Sequence, residues 1–249
     1  MHDGTSTLPE DRERPLTEHL GELRHRLIRA AVVVTALTLA AFAINDQILR
    51  LLVSPLDFRP HTFTLQEAFL LRIQVSLAAA VVASLPYLLW EAWGFMRPGL
   101  YPHERRWVGG GLFWGGVLMY LGLAFGLWVL VPVSVRALQA FTGTSLQLTL
   151  RAQAYFTFLF WVEVTSVAIF ELPLVFVILT RIGLLNPDQV ARNRRSVLLT
   201  LVTILAVITP SVDAVSLLLV AGPVWLLLEI SLWVARRVRP VPGKEDEDA

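Results

Sequence analysis

Glu22 and Glu104 are acids in places where the chain otherwise concentrates arginine: HLGELRHRL at residues 19–27 and LYPHERRW at residues 100–107. Each stands a few residues from the end of a long apolar segment. Two carboxylates fixed near one surface form a receptor for two cations. A stiff, partly desolvated carboxylate accepts a guanidinium through two parallel hydrogen bonds. A lysine ammonium, a point charge, fits such a site less well. Leu20, Leu23 and Leu27 recur at helical spacing around Glu22, so the segment lies along an interface and pins its carboxylate. Pro98, Gly99 and Pro102 stiffen the approach to Glu104. The plainer alternative is local ion pairing with Arg24 and Arg26, or with Arg105 and Arg106, at a solvated rim. Such exposed pairs are worth about 0–1 kcal/mol.

Other acids lie inside apolar segments, where an ionisable group is costly and therefore informative. Glu171, in FELP, is near the middle of the fourth segment, and Pro173 just after it frees backbone carbonyls and bends a helix. It is expected to face a cavity or polar groove; the alternative is a packing group hydrogen-bonded to a neighbouring helix. Glu163, two turns earlier, is a candidate for the same groove. Glu91 and Glu229, nearer segment ends, read as partners for arginines. Asp213 is either a helix cap or a functional group in a tight turn.

Catalysis finds little support. His2, His19, His25, His61 and His103 all fall outside the apolar segments, which leaves no intramembrane Ser–His pair and no histidine-rich metal site. HERR lacks the second histidine of the HExxH zinc motif, and no GxxxxGK[ST] loop is present. With no cysteine in the chain, disulfides and thiolate metal sites are excluded. Neither enzyme activity, cofactor nor metal is expected. Any work must draw on a gradient or a partner.

The elements that position these residues are membrane spans. Of 249 residues, 55% are hydrophobic and 16% charged, against roughly a quarter charged in soluble domains. The net charge of +1 lacks the basic surplus of a nucleic-acid binder. A bilayer core of about 30 Å takes about 20 apolar residues as helix. Segments 27–44, 69–96, 108–138, 155–182, 196–209 and 214–235 are candidates, giving an all-α integral membrane protein of six spans, of which the fifth and sixth are expected to be short. Residues 1–15 read as a flexible head, 16–238 as the membrane domain, and 239–249 as a flexible acidic tail. The polar opening residues do not resemble a secretory signal, and the lack of a transit peptide favours a multi-pass protein of a prokaryotic cytoplasmic membrane over a thylakoid.

Basic residues set the orientation. Arg12, Arg14, Arg24, Arg26, Arg29, Arg97, Arg105, Arg106, Arg181, Arg192, Arg194, Arg195, Arg236, Arg237, Arg239 and Lys244 fall on one side; only Arg50, Arg59, Arg72, Arg136 and Arg151 fall on the other. Both termini are therefore predicted to be cytoplasmic. The fifth segment reaches only about 21 Å at 1.5 Å per residue, and a short hairpin thins the bilayer locally or sits in polar surroundings. Residues 45–68 and 139–153 are expected to cap the outer face with short helical pieces. Glycines 109, 110, 111, 115, 116, 122 and 126 suit close helix packing in lipid.

The motifs resemble, in order, those of the TatC subunit of the twin-arginine protein translocase: HLGELRHRL at 19–27, SPL at 54–56, WGFMRPGLYPHERR at 93–106, FELP at 170–173, TPSVD at 209–213 with Ser216, and PVWLLLEIS at 223–231. The resemblance covers about residues 16 to 238. It implies recognition of folded cargo through a twin-arginine signal peptide, single-span partners of the TatA and TatB types, drive by the proton-motive force, and an oligomeric assembly. It implies that Glu22 and Glu104 form the signal-binding patch, supported by Leu20, Arg24, Pro55, Phe95 and Leu100. Glu171, with Glu163 nearby, would belong to a concave membrane-facing surface. Thr209, Asp213, Ser216 and Leu217 would contact a partner helix. This chain departs from the family's usual turn, with Val212 in place of proline and Leu217 in place of glutamine, which puts that contact in doubt. Gly21 and Val167 also depart, without touching the paired acids. The rival reading is a proton-coupled small-solute transporter that uses Glu163 and Glu171 as a relay.

Overall fold

The structure, a computed structural model, describes residues 16–56, 59–140, 149–181, 183–208 and 214–237, with residues 16–19, 102–104, 205–208 and 214–220 described by backbone alone. The chain runs α1 (Leu16–Ala43), α2 (Asn45–Val53), α3 (Leu65–Met96), α4 (Pro102–Phe125), α5 (Val131–Ala140), α6 (Ala152–Arg181), α7 (Pro187–Arg192), α8 (Arg194–Ile208) and α9 (Ala214–Ala235). The expected all-helical class holds among the described residues. Four stretches are long and apolar enough to cross a membrane: Leu20–Ala43, Leu65–Gly99, Arg105–Ala140 and Ala152–Arg181. Large apolar side chains such as Leu27, Val32, Leu39, Trp90, Phe113 and Trp128 stand exposed on their outer faces. So much exposed apolar surface marks contact with something other than water.

Helices α1 and α3 pack antiparallel and are pinned at both ends. At one end Arg26 donates to Glu91; at the other the buried Asn45 amide donates to the Arg72 carbonyl and the Ser76 hydroxyl. Arg26 and Asn45 are separated by roughly 28 Å of helix at 1.5 Å per residue, close to the thickness of a hydrocarbon core. The polar pins therefore flank an apolar length that suits a bilayer.

Beyond Asn45 the two long connections fasten to each other. The His61 amide donates to the Leu150 carbonyl, and the Ala152 amide donates back to the His61 carbonyl. Thr64 caps α3 by accepting from the Glu67 amide, and Glu67 accepts from the Phe63 amide, a close relative of the capping box. The Glu67 carboxylate then takes Arg151 at 2.9 and 3.2 Å and raises that guanidinium above its ordinary value. The Tyr155 hydroxyl donates to the Leu52 carbonyl at the end of α2. The predicted caps, with α2 as their helical piece, are thus tied to the bundle.

The stretch α4–α5 contains a π-helical turn at Gly126–Leu130, in which the Val131 amide reaches back to the Gly126 carbonyl. Pro132 follows and has no amide to donate to Trp128, so the helix widens where its regular ladder fails. On its other face α4 meets α6 through a glycine stripe. A Cβ on Gly115 would press on Leu174, one on Gly122 on the Val167 backbone, and one on Gly126 on the Glu163 carboxylate. Ser166 donates to the Gly122 carbonyl at 2.6 Å. The packing role read from these glycines matches this interface.

Just beyond the end of α6, Gly183 has a φ of +76°, which suits glycine, while the Leu185 amide closes onto the Leu179 carbonyl. Leu159, Val162 and Ile169 of α6 share a core with Leu130, Val131 and Val135 and with Val224 and Leu227 of α9. Helix α8 has 15 residues, roughly 22 Å at 1.5 Å per residue, so the expected short fifth helix is present. Helix α9 carries Pro223 within its 22 residues, roughly 33 Å at 1.5 Å per residue, so the expectation that the sixth helix is short as well is corrected.

Candidate functional site

The site grows from the N-terminal end of α1. Glu22 and Arg26 stand one turn apart, the spacing at which helical side chains meet. Arg26 donates to one oxygen of Glu22, Oε1, from both Nε at 3.0 Å and Nη2 at 2.6 Å. Its third nitrogen, Nη1, crosses to α3 and donates to Glu91 Oε2 at 2.9 Å. Arg29 donates to that same oxygen at 3.1 Å, and the Tyr87 hydroxyl donates to Glu91 Oε1 at 2.8 Å. Two carboxylates, two guanidiniums and a phenol thus share one junction of α1 and α3. Glu91 is buried, whereas the side chains of Arg26 and Glu22 keep 19% and 27% exposure. The Gly94 backbone gives Arg26 its space, since a Cβ there would run into the guanidinium.

The chain then turns from α3 into α4 through a 3-10 turn at Arg97–Gly99, which the Leu100 amide closes onto Arg97. Arg105 donates from Nε to the Leu100 carbonyl at 3.2 Å. Pro102 opens α4, where a missing amide costs nothing, and Glu104 stands in that first helical turn. The Glu104 side chain lies outside the described ones. Further along the helix, Arg181 from the end of α6 stacks over the Trp107 ring at 5.2 Å.

Helices α7, α8 and α9 complete this end. Arg194 pairs with Glu229 and Arg236 with Asp188, each at 3.4 Å, so Glu91 and Glu229 both meet arginines as read from the sequence. A surface crevice of about 630 Å³ runs between α8 and α9, lined by Ala191, Arg194, Leu226, Glu229, Trp233 and Arg236 among others.

The supporting residues divide between the two ends. Leu20 and Arg24 are exposed on α1, Phe95 is half-buried on the last turn of α3, and Leu100 is half-buried in the turn after it. Pro55 is not among them. It follows α2, beside the Leu52 carbonyl that Tyr155 holds, and all 32 residues of α3 separate that end from the Glu22 end. The expectation that Pro55 supports the same patch is corrected by the length of that helix. Thr209 and Asp213 lie outside the described residues. Ser216 and Leu217 fall on the first turns of α9, described there by backbone alone.

Within the bundle, both oxygens of Glu163 are buried without a hydrogen-bond partner among the described residues, against Gly126 at the start of the π turn. Glu171 is half-buried and faces α4 near Gly115. The sequence reading singled out both glutamates but not the π turn that receives the first. It also missed how Arg26 bridges Glu22 and Glu91. The one-turn spacing of Glu22 and Arg26 was visible in sequence, but the partner across α3 was not.

These features define a class: a polytopic helical membrane protein with a carboxylate–guanidinium junction at one end of its bundle. Residues 18–223 match the model of the Sec-independent protein translocase protein (TatC) family, and the chain belongs to that family. It is 32% identical to the Sec-independent protein translocase protein TatC of Deinococcus radiodurans, over 96% of this chain and 92% of that protein. It is 30% identical to the chloroplastic TATC of Arabidopsis thaliana, over 92% of this chain and 68% of that one. A crystal structure of a twin arginine translocase receptor, TatC, superposes with a TM-score of 0.69 at 27% identity, covering 88% of this chain and 98% of its own.

Proposed function

We propose that this translocase subunit is the receptor that binds twin-arginine signal peptides of folded cargo proteins at the cytoplasmic face and nucleates translocase assembly. In this reading residues 16–238 make six spans of a prokaryotic cytoplasmic membrane, with the head 1–15 and the tail 239–249 both cytoplasmic. Glu22 and Glu104 take the two signal arginines, beside Leu20, Arg24, Phe95 and Leu100. The apolar stretch of the signal runs along the membrane-facing surface that carries Glu171. TatA-type and TatB-type single-span subunits dock near Thr209, Asp213, Ser216 and Leu217, and the proton-motive force drives transport. The protein works as a binding platform in an oligomer and not as an enzyme.

The observation that carries the reading is the guanidinium of Arg26 seated on Glu22. The chain's own arginine displays the ligand chemistry this carboxylate accepts, in a charge-assisted bond that is strong when partly desolvated. Likeness to a solved twin arginine translocase receptor supports it. The transporter alternative needs an aqueous site around Glu163 and Glu171, whereas the Glu163 carboxylate packs on Gly126.

The test is photo-crosslinking from a probe beside the twin arginines of a signal peptide to this protein in membranes. Glu22→Gln and Glu104→Gln are each expected to reduce the crosslink, and the double change to abolish it. Undiminished crosslinking in the double variant would sink the receptor reading. Export at the normal rate by Glu171→Ala would leave that residue a packing role only.

A further inference from the structure

The crevice between α8 and α9 is apolar along its length and basic at its mouth. Leu226, Ile230 and Trp233 of α9 follow one another at helical spacing and stand exposed despite their size. Arg194 and Arg236 close the end, and Arg237 lies over the Trp233 ring at 3.5 Å. From Leu226 to Arg236 the wall runs ten residues, roughly 15 Å at 1.5 Å per residue. That is one leaflet of a hydrocarbon core about 30 Å thick. Residues 186–196 and 229–237, which flank the mouth, carry five arginines against two acids, Asp188 and Glu229. Those acids hold their partners loosely. The closest contacts, Arg194 to Glu229 and Arg236 to Asp188, are both 3.4 Å, beyond the roughly 2.7–2.9 Å of a tight charge-assisted bond.

We infer that this crevice binds one anionic phospholipid, its phosphate held between Arg194 and Arg236 and an acyl chain laid along Leu226, Ile230 and Trp233. Nothing in this site involves Glu22, so it stands apart from the receptor reading. A guanidinium grips a phosphate through paired N–H donors, and basic pockets between membrane helices take phosphate headgroups. The excess of positive charge selects a lipid of net negative charge over a zwitterionic one, whose ammonium the arginines repel. An apolar groove of this length, leading up to the cations, matches a molecule with a hydrocarbon tail and an anionic head. An apolar partner helix would cover Leu226 and Ile230 but leave the arginines without a counter-charge. The volume of about 630 Å³ falls within the roughly 300–1,000 Å³ of small-molecule sites. Glu229, the acid in the crevice wall, competes with the phosphate for Arg194.

The experiment is native mass spectrometry of the full-length chain released from nanodiscs of equal phosphatidylglycerol and phosphatidylcholine, with retained lipid counted by mass. Wild type is expected to retain one phosphatidylglycerol in preference to phosphatidylcholine. Arg194→Gln with Arg236→Gln is expected to lower that preference roughly ten- to thirtyfold, the worth of two basic contacts at a membrane surface. Arg97→Gln with Arg106→Gln removes the same charge from the α3–α4 turn at the same end, and is expected to leave the preference unchanged. Equal losses in the two double variants would make the attraction a diffuse property of the basic surface and overturn the inference, as would no loss in the first. Glu229→Gln frees Arg194 and is expected to strengthen retention by up to about fivefold, the worth of one exposed pair; a fall overturns the site. Inorganic phosphate in millimolar excess is expected not to displace the lipid, and displacement would mean a free-anion site instead. Retention seen only after removal of the acidic residues 245–248 would assign the crevice to the chain's own tail. Lipid retention untouched by Arg194→Gln with Arg236→Gln, while capture of a single-span subunit is lost, would assign it to a partner helix. Each of these last three results overturns the lipid site.

Discussion

Glu91 and Glu163 are both acids on long apolar helices, and they meet opposite surroundings. Glu91 ends α3 at the junction with α1, where Arg26, Arg29 and Tyr87 all donate to it. Glu163 stands in α6 with both oxygens buried and no hydrogen-bond partner among the described residues, against the bare backbone of Gly126. The first environment suits a charge, because the low-dielectric surroundings that penalise an ion also strengthen its pairs. The second does not, since an unpaired ionised carboxylate in such a place costs far more than a neutral acid. One acid therefore holds the fold together through its charge. The other is tolerated only because a glycine and a widened helical turn leave it room.

That contrast predicts that apolar replacement acts in opposite directions at the two positions. Glu91→Leu leaves Arg26 and Arg29 at a helix junction without the anion they share. Breaking one side of such a pair is far more damaging than never having had it. The melting temperature in detergent is expected to fall by several degrees, the largest change of this set. A Glu91→Leu variant as stable as wild type would show that α1 and α3 are held by their apolar contact alone, and the comparison would fail on its first side.

The glycine stripe gives the next largest effect and sharpens the second side. A Cβ on Gly122 meets the Val167 Cα at 2.9 Å and the Ser166 carbonyl at 3.2 Å. Neither is free to move without the backbone, so Gly122→Ala is expected to cost about 1–3 kcal/mol by overpacking. At Gly126 the obstacle is the Glu163 carboxylate, the far end of a flexible side chain. Gly126→Ala should therefore cost less, and its cost should vanish in a Glu163→Ala background, where the obstacle is gone. Equal losses at both glycines, unaltered by Glu163→Ala, would mean that the two positions are alike and that Gly126 does not exist to receive the acid.

How far the sequence foretold this arrangement depends on the range of each interaction. Apolar length showed the four long membrane-length stretches, and the brevity of α8 was readable from the residues between Arg195 and Pro210. Pairing within one helical turn, as for Glu22 and Arg26, needs only spacing. What could not be read are contacts that depend on how separate helices register: Glu91 on Arg26, Ser166 on Gly122, and His61 on the strand-like residues around Leu150. Pro55 was placed with the wrong partners because motif order carries no information about which end of a helix a loop occupies. The π turn had a local signal in Pro132, but only the α4–α6 packing reveals that its first residue faces Glu163.

Glu163→Leu is the direct counterpart of Glu91→Leu. A buried polar group without a partner contributes its desolvation cost and nothing in return, so an apolar side chain of similar size is expected to be neutral or to stabilise by about 1 kcal/mol. The readout is again the melting temperature in detergent. A clear loss of stability would reveal a hydrogen bond to Glu163 that the bundle forms in the membrane, and the contrast with Glu91 would collapse into two paired acids of unequal strength.

The weakest case tests whether pairing alone, or pairing with burial, makes Glu91 matter. Arg194 and Glu229 are also an arginine and a glutamate joining two helices at the same end of the bundle. Their contact is longer, 3.4 Å, and both side chains are exposed, at 62% and 36%. Water and salt screen such a pair, and the side-chain entropy lost in forming it offsets most of the attraction. Arg194→Gln is therefore expected to change stability by only about 0–1 kcal/mol, and the small change should shrink further as salt is raised. The melting temperature compared at low and high salt checks both. A loss as large as that of Glu91→Leu, persisting in high salt, would show that any helix-bridging arginine–glutamate pair at this end is structural. Burial would then have no part in setting Glu91 apart.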